Sequence, residues 1–196
     1  NNIGDKDVIY IGATTSRDVP KIMAIASQGS SLYIYEISPE MIQGKKGTIC
    51  SGYWELTPET GLVEGKLPVA TSAYFDRMFY YAVGNKIYRA DLTRSTPRSY
   101  EIYAHPDPSV RITRLKFRSQ REDRWDISGG DEVEAIPYDF VSYLGGVAEY
   151  PDGNCSMLEM KLTAAGEIDK EEGTKDLMVY EFKGFKNVVD FVYAFK

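Results

Sequence analysis

The chain has 196 residues, of which 43% are hydrophobic and 27% are charged, values typical of a globular domain with a core of its own. The formal net charge of −6 argues against a nucleic-acid partner, because phosphate binding requires a basic surface. No apolar run approaches the roughly 20 residues of a membrane-spanning helix. Tyrosine is abundant, with 15 copies beside 8 Phe and 2 Trp, and this composition favours β-strands.

The first predicted elements are a strand at residues 7–13, DVIYIGA, and a hairpin at residues 24–37, AIASQGSSLYIYEI. Gln28-Gly29 supplies the turn of this hairpin. The strand-like sequence at the start of the chain would suit the closure of a ring of sheets or contact with further parts of a larger protein. The same holds for the sequence KNVVDFVYAFK at the end of the chain.

Residues 39–68 are predicted to be an insertion, because loop-like sequences flank one possible strand at residues 49–56. A short helical turn, SPEMIQG, could begin there with Ser38 as its N-cap. Two further stretches, residues 119–137 and 163–176, are rich in Gly or charge and are predicted to be exposed loops.

The hairpin pattern recurs at residues 79–92, FYYAVGNKIYRADL, and at residues 148–162, AEYPDGNCSMLEMKL. Gly84-Asn85 and the stretch PDGN supply the turns, because Gly and Asn tolerate positive φ. When the outgoing strands are aligned, each hairpin places apolar or aromatic residues on one face in the same register. These residues are Tyr33, Tyr35 and Ile37, then Tyr88, Ala90 and Leu92, then Leu158, Met160 and Leu162.

Further strands complete the repeat. ITRLKF (residues 112–117) is similar to VVDFVY (188–193) and, more weakly, to ATSAYF (70–75), while SYEIYAH (99–105) follows the second hairpin. A lead-in strand, a hairpin and an outer strand give four antiparallel strands, the plan of a propeller blade. We therefore predict an all-β fold of repeated antiparallel four-stranded units, β-propeller-like, and either partial or with few blades.

Three units are too few to close a ring, since propellers usually have about four to eight blades. Either a fourth blade is built from the two ends, or the chain belongs to a larger propeller. We expect residues 1–196 to form a single propeller-like domain. Because the sequence begins without Met, we expect a mature chain or one whose N-terminal part has been removed, and the resemblance described below implies the C-terminal part of a longer protein.

Catalytic chemistry finds little support in the sequence. His105 is the only histidine, so a Ser/His/Asp triad would have to use it, but its position before a proline is typical of a turn. The acidic run at residues 169–176 is typical of a solvated loop and misses the calcium-loop pattern. We expect no catalytic residues, no metal and no cofactor, and we expect Cys50 and Cys155 to be free thiols rather than a disulfide.

Ligand binding has four candidate residues. Trp125 with Arg124 lies in the charged stretch REDRWDISGGDE, and Tyr53 with Trp54 forms a second aromatic pair. Exposed aromatic rings beside polar groups can stack on sugars, although both Trp residues could instead pack against the core. We expect residues 119–137 to be the functional face if the domain has one; the alternative is a mobile solvated loop.

YYAVGNKIYRADL (residues 80–92), together with the closing FKGFKNVVDFVYAFK (182–196), resembles the C-terminal part of the PKD-like family lipoproteins of Bacteroidetes. This resemblance implies a cell-surface protein associated with glycan uptake, with immunoglobulin-like domains ahead of a propeller-like region. It implies an extracytoplasmic place, periplasmic or at the outer membrane, with membrane attachment only through an anchor absent from this chain. It carries over no activity and no site residues.

The resulting hypothesis is a non-catalytic binding or scaffolding domain of a cell-surface protein in glycan acquisition, whose partner is a glycan or another cell-surface protein. The alternatives are a propeller-type polysaccharide hydrolase or lyase, which requires acidic and basic groups converging in one funnel, and a purely structural protein-interaction module.

Overall fold

The computed structural model describes residues 4–14, 21–37, 50–58, 67–71, 78–122, 125–126, 134–135 and 139–194. The regular structure in these ranges is entirely β-strand, and it forms three antiparallel four-stranded sheets and one small ribbon. This confirms the predicted all-β fold of repeated antiparallel units. In the same ranges, no helix is long and apolar enough to cross a membrane. The short helical turn expected at Ser38 lies outside the described residues.

The first sheet contains β1 (Asp7–Thr14), β2 (Lys21–Gln28), β3 (Ser31–Ile37) and β4 (Cys50–Leu56), in chain order. The β2–β3 turn is one residue later than predicted, and Gly29 adopts a φ of 59° in it. The expectation for residues 39–68 was wrong in one respect, since β4 is the fourth strand of the repeat rather than part of an insertion. β1 pairs with β2 and so opens the first sheet.

The second sheet contains β5 (Val69–Thr71), β6 (Met78–Val83), β7 (Lys86–Asp91) and β8 (Ser99–Ala104), again in chain order. Gly84 adopts a φ of 59° in the predicted two-residue turn between β6 and β7. The lead-in strand, the hairpin and the outer strand therefore follow one another as the sequence predicted.

The third sheet begins with β9 (Arg111–Glu122), which leads into a two-stranded ribbon of β10 (Trp125–Asp126) and β11 (Glu134–Ala135). The chain returns along β9 as β12 (Asp139–Glu149) and continues into β13 (Asn154–Leu162). The last strand, β14 (Val179–Lys186), pairs with β13 and gives the order β14-β13-β12-β9. Residues 119–137 were predicted to be a loop, but residues 119–122 continue β9 because they pair with β12 across the sheet.

The central strand β6 of the second sheet is buried on both faces. In β6, Phe79 and Tyr81 pack against the first sheet, while Tyr80 and Ala82 pack against the third. All four are at most 1% exposed. Strand alternation explains this arrangement, since a continuous apolar run buries both faces of a strand. The two larger cores that the structure describes thus lie between neighbouring sheets, one between the first and second and one between the second and third, and neither joins the first sheet to the third. A third, smaller cluster lies on the outer face of the first sheet.

The aligned residues of the three hairpins occupy equivalent faces. Tyr88, Ala90 and Leu92 lie in the core with the first sheet, and Leu158, Met160 and Leu162 lie in the core with the second. Tyr33, Tyr35 and Ile37 gather on the outer face of the first sheet, where Tyr35 is 4% exposed. In the second and third sheets the aligned residues face the preceding sheet, and in the first sheet they lie on the corresponding face, which no sheet of this chain covers among the described residues. This equivalence confirms the repeat.

The last described residues, 187–194, form an extended C-terminal segment outside the strands. The predicted lead-in strand VVDFVY is therefore not paired into a sheet among the described residues. Phe191 and Tyr193 instead contact β12 at Gly145, and Lys116 forms an ion pair with Asp190 at 3.1 Å. Cys50 and Cys155 are free thiols, as predicted.

Candidate functional site

Two grooves follow the edges of the first and second sheets and meet at Arg98. The first, called the edge groove, lies between β4 and the residues leading into β8. It is lined by Tyr53, Trp54, Glu55, Thr57, Ser95, Thr96, Pro97, Arg98 and Ser99. Its volume is about 570 Å³, which falls in the usual range of small-ligand sites.

Trp54 contributes little surface to the edge groove. Its side chain is only 8% exposed and packs in the core between the first two sheets. The ring lies over the backbone of Gly52, where an added Cβ would come within 2.5 Å of Trp54 Cη2. Most of this Trp is therefore committed to packing, which was the alternative that the sequence left open.

Tyr53 is the more accessible of the two aromatic candidates. It points to the opposite face from Trp54, and its ring centroid lies 5.3 Å from that of Tyr35 and 6.2 Å from that of Tyr33. Burial, followed by the nearby Tyr35 and Glu55, raises the pKa of the Tyr53 hydroxyl. The hydroxyl therefore remains protonated at neutral pH and can both donate and accept a hydrogen bond.

The other candidate pair lies on a different sheet. Trp125 opens β10, where it pairs with Ala135, and Arg124 lies outside the described residues. Trp125 belongs to the ribbon of β10 and β11, whereas Tyr53 and Trp54 belong to β4 of the first sheet.

His105 is an interior residue, with 5% of its surface exposed. Its Nδ1 accepts a hydrogen bond from the Asp107 amide at 3.1 Å, and its Nε2 lies 3.6 Å from a Glu181 oxygen. The same Glu181 oxygen accepts a hydrogen bond from the Tyr150 hydroxyl at 2.7 Å. Burial, with a smaller contribution from Glu181, raises the pKa of the adjacent Tyr103 to about 12. These contacts tie β14 to the connection between the second and third sheets, and His105 lines neither groove.

The acidic run predicted to be a solvated loop is exposed at Glu171, Glu172 and Asp176, while Asp169 forms an ion pair with Lys161 at 3.3 Å. Within the described part of the chain, no group of three or more His, Cys, Asp or Glu residues could hold a metal ion.

The second groove, called the arginine groove, was missed by the sequence reasoning. It lies between β8 and the segment that joins β13 to β14, with a volume of about 490 Å³. It is lined by Arg89, Asp91, Arg94, Arg98, Tyr100, Glu101, Ile102, Glu167, Ile168, Lys170 and Leu177. The spacing of the three Arg residues in RADLTRSTPR was a visible signal, but their meeting with Glu167 and Lys170 depends on the tertiary fold.

Comparison with known proteins finds no family model, no curated protein and no solved structure that matches this chain.

Proposed function

We propose that this chain is a non-catalytic binding or scaffolding domain of an extracytoplasmic, cell-surface protein that takes part in glycan acquisition. The observation that carries the proposal is the edge groove, whose lining combines one aromatic residue, Tyr53, with the hydroxyl residues Thr57, Ser95 and Thr96. An aromatic ring offers an apolar face to a sugar, and hydroxyl groups can exchange hydrogen bonds with the sugar hydroxyls.

We propose further that the three sheets are blades of a propeller-like domain. The support is the shared strand order, the shared register of the hairpins, and the way each sheet packs on the next. The C-terminal segment also fits this architecture, because it lies against the third sheet much as β9 lies against the second. In the second sheet Tyr80 stacks on Phe117 of β9, with ring centroids 6.3 Å apart.

A structural interaction module is the second candidate, favoured by exposed aromatic residues on β14. Tyr180, Phe182 and Phe185 are 43%, 53% and 43% exposed on this last strand of the third sheet. Exposed aromatic side chains are enriched at protein interfaces.

A glycan array followed by calorimetric titration tests the proposed function. We expect Thr96→Trp to block binding, because this exposed residue lies on the rim of the edge groove and its replacement would fill the groove without entering the core. Tyr53→Leu should weaken binding through loss of the aromatic face. Tyr180→Ala serves as the matched control, since it removes an exposed Tyr outside the groove.

Three results would contradict this proposal. Failure of every glycan to bind would favour the interaction module, and release of shortened products would favour the hydrolase or lyase. Glycan binding that is lost in Trp125→Ala but kept in Thr96→Trp would move the site to the ribbon of β10 and β11.

A further inference from the structure

We propose that the arginine groove binds the carboxylate of an acidic saccharide, namely a glycan that contains hexuronic acid units. This inference rests on the proposed function in glycan binding and adds the substrate class. It starts from the charges that line the groove, from one exposed aromatic ring, and from the position of the groove beside the edge groove.

The carboxylates of the groove are already neutralised by ion pairs. Asp91 pairs with Arg94 at 3.5 Å, and Glu167 pairs with Arg89 at 3.6 Å. Glu101 pairs at 2.7 Å with Lys86, which approaches from the neighbouring strand. The three acidic residues of the lining therefore offer little unbalanced negative charge.

Two cations of the lining remain without a countercharge. Arg98 and Lys170 form no ion pair with any other residue that the structure describes. An excess of positive charge in this groove contrasts with the net charge of −6 on the whole chain. A carboxylate is the ligand group that such a site would attract, and the planar guanidinium of Arg98 can bind both of its oxygens.

The groove also presents a surface that suits a sugar ring. Tyr100 is 49% exposed, and the guanidinium carbon of Arg89 lies 5.9 Å from the centre of its ring. Arg89 is itself held in place by its ion pair with Glu167 and by a hydrogen bond that it donates to the carbonyl of Ala165. The contact with Arg89 thus helps to fix the position of the Tyr100 ring. Ile168 and the partly exposed Leu177 add apolar surface to the same groove.

The size and charge of the groove favour a saccharide over a nucleic acid. A volume of about 490 Å³ lies within the range of small-ligand sites. Two unpaired cations can neutralise about one or two acidic groups, whereas the phosphate backbone of a nucleic acid carries a regular series of charges that such a small site cannot match. Arg98 also lines the edge groove, so a single glycan chain could occupy both grooves in sequence.

Calorimetric titration of the whole chain with trigalacturonate and with the neutral trisaccharide maltotriose tests the inference. We expect trigalacturonate to bind more tightly, and we expect its affinity to fall as NaCl is raised from about 50 to about 500 mM. Arg98→Ala should weaken trigalacturonate binding roughly tenfold, because a charge-assisted hydrogen bond is lost. Lys170→Ala should weaken it roughly threefold, as expected for a more exposed charge pair.

Two further variants distinguish the contribution of the ligand charge from that of stacking on Tyr100 and from the effect of removing any surface arginine. Tyr100→Ala should weaken the binding of both saccharides, since stacking does not depend on the ligand charge. Arg111→Ala is the matched control, because Arg111 is an exposed arginine at the start of β9 and lines neither groove. Its affinity for trigalacturonate should equal that of the native chain.

The possible failures are distinguishable. If maltotriose binds as tightly as trigalacturonate and Thr96→Trp abolishes binding while Arg98→Ala does not, the proposed function stands and the acidic specificity is overturned. If neither saccharide nor any glycan on the array binds, both proposals fail. If acetate competes with trigalacturonate at equal concentration, the groove recognises a carboxylate alone, and the saccharide part of the inference is wrong.

Discussion

Replacing Gly145 with alanine tests how the C-terminal segment is held against the third sheet. An alanine Cβ at this position would lie 2.9 Å from Phe191 Cε2 and 2.9 Å from Tyr193 Cζ, and closer still to the Tyr193 hydroxyl. Such distances are too short for van der Waals contact, so the two rings must move away from β12.

The expected change in stability is the balance of two effects. Overpacking of this kind costs roughly 1–3 kcal/mol. Replacing glycine inside a strand returns about 0.5–1 kcal/mol, because the unfolded chain loses backbone freedom. The middles of these two ranges differ by about 1 kcal/mol, so we expect Gly145→Ala to lower the free energy of unfolding by about 1 kcal/mol, with a fall in Tm of about 2–4 °C.

Gly146→Ala provides the matched control on the other face of the same strand. Its Cβ would lie 3.4 Å from the Arg114 carbonyl oxygen and 3.4 Å from Leu115 Cδ2, which is ordinary contact. Urea denaturation should show this variant to be as stable as the native chain or slightly more stable. Chymotryptic cleavage after Phe191 and Tyr193 should become faster in Gly145→Ala alone, because their rings would be displaced from β12.

A truncation supplies the decisive comparison. In a chain that ends at residue 187, Phe191 and Tyr193 are absent, so Gly145→Ala should no longer destabilise the protein. Equal destabilisation by Gly145→Ala in the full and the truncated chain would show that the rings are not the cause, and would refute this account of the C-terminal segment.

Three further predictions concern turns, packing and pH. Gly84→Val should cost roughly 1–2 kcal/mol in urea denaturation, because Gly84 has a φ of 59° with nothing within 4 Å of its Cβ position, whereas Gly84→Asn should be tolerated; equal stability of the two would exclude a backbone effect. Gly52→Ala should destabilise the first sheet by about 1–3 kcal/mol and alter Trp fluorescence, since the Cβ would press on Trp54; an unchanged spectrum would contradict this contact. Burial is the main cause that raises the pKa of both Tyr103 and Tyr193 to about 12, so an absorbance titration should show two hydroxyls ionising well above the ordinary value near 10. Because the folded protein holds these protons more tightly, their contribution to stability is complete below pH 10 and is lost as the pH rises towards about 12; constant stability across that window would count against it.

The hairpins could be predicted from the sequence because their information is local. Gly84 adopts positive φ, and the alternation of Tyr88, Ala90 and Leu92 indicates the strand face that packs against the first sheet. A possible strand was predicted at residues 49–56 but was assigned to an insertion, because the loop-like sequences on both sides gave no indication that it pairs with β3.

The candidate grooves depend on contacts between distant parts of the chain. Arg89 lies in β7 and Glu167 in the segment between β13 and β14, and the two meet only because this segment packs against the second sheet. Trp54 was named as a candidate ligand-binding residue, and the sequence alone did not decide between that role and core packing. Its position over Gly52 is a matter of side-chain packing, which periodicity does not report.

Burial of β6 on both faces has a consequence for synthesis on the ribosome. Once residues up to Ala104 have left the ribosome, the first sheet can already cover Phe79 and Tyr81. Tyr80 stays exposed at that stage, because it packs against the third sheet, which has not yet been synthesised. Its hydroxyl finds its acceptor, the Gly166 carbonyl, at 2.9 Å only when the chain has passed β13. The nascent chain therefore exposes an apolar sheet face during translation of the third sheet, which makes this interval the one in which a chaperone would bind and misassembly would begin.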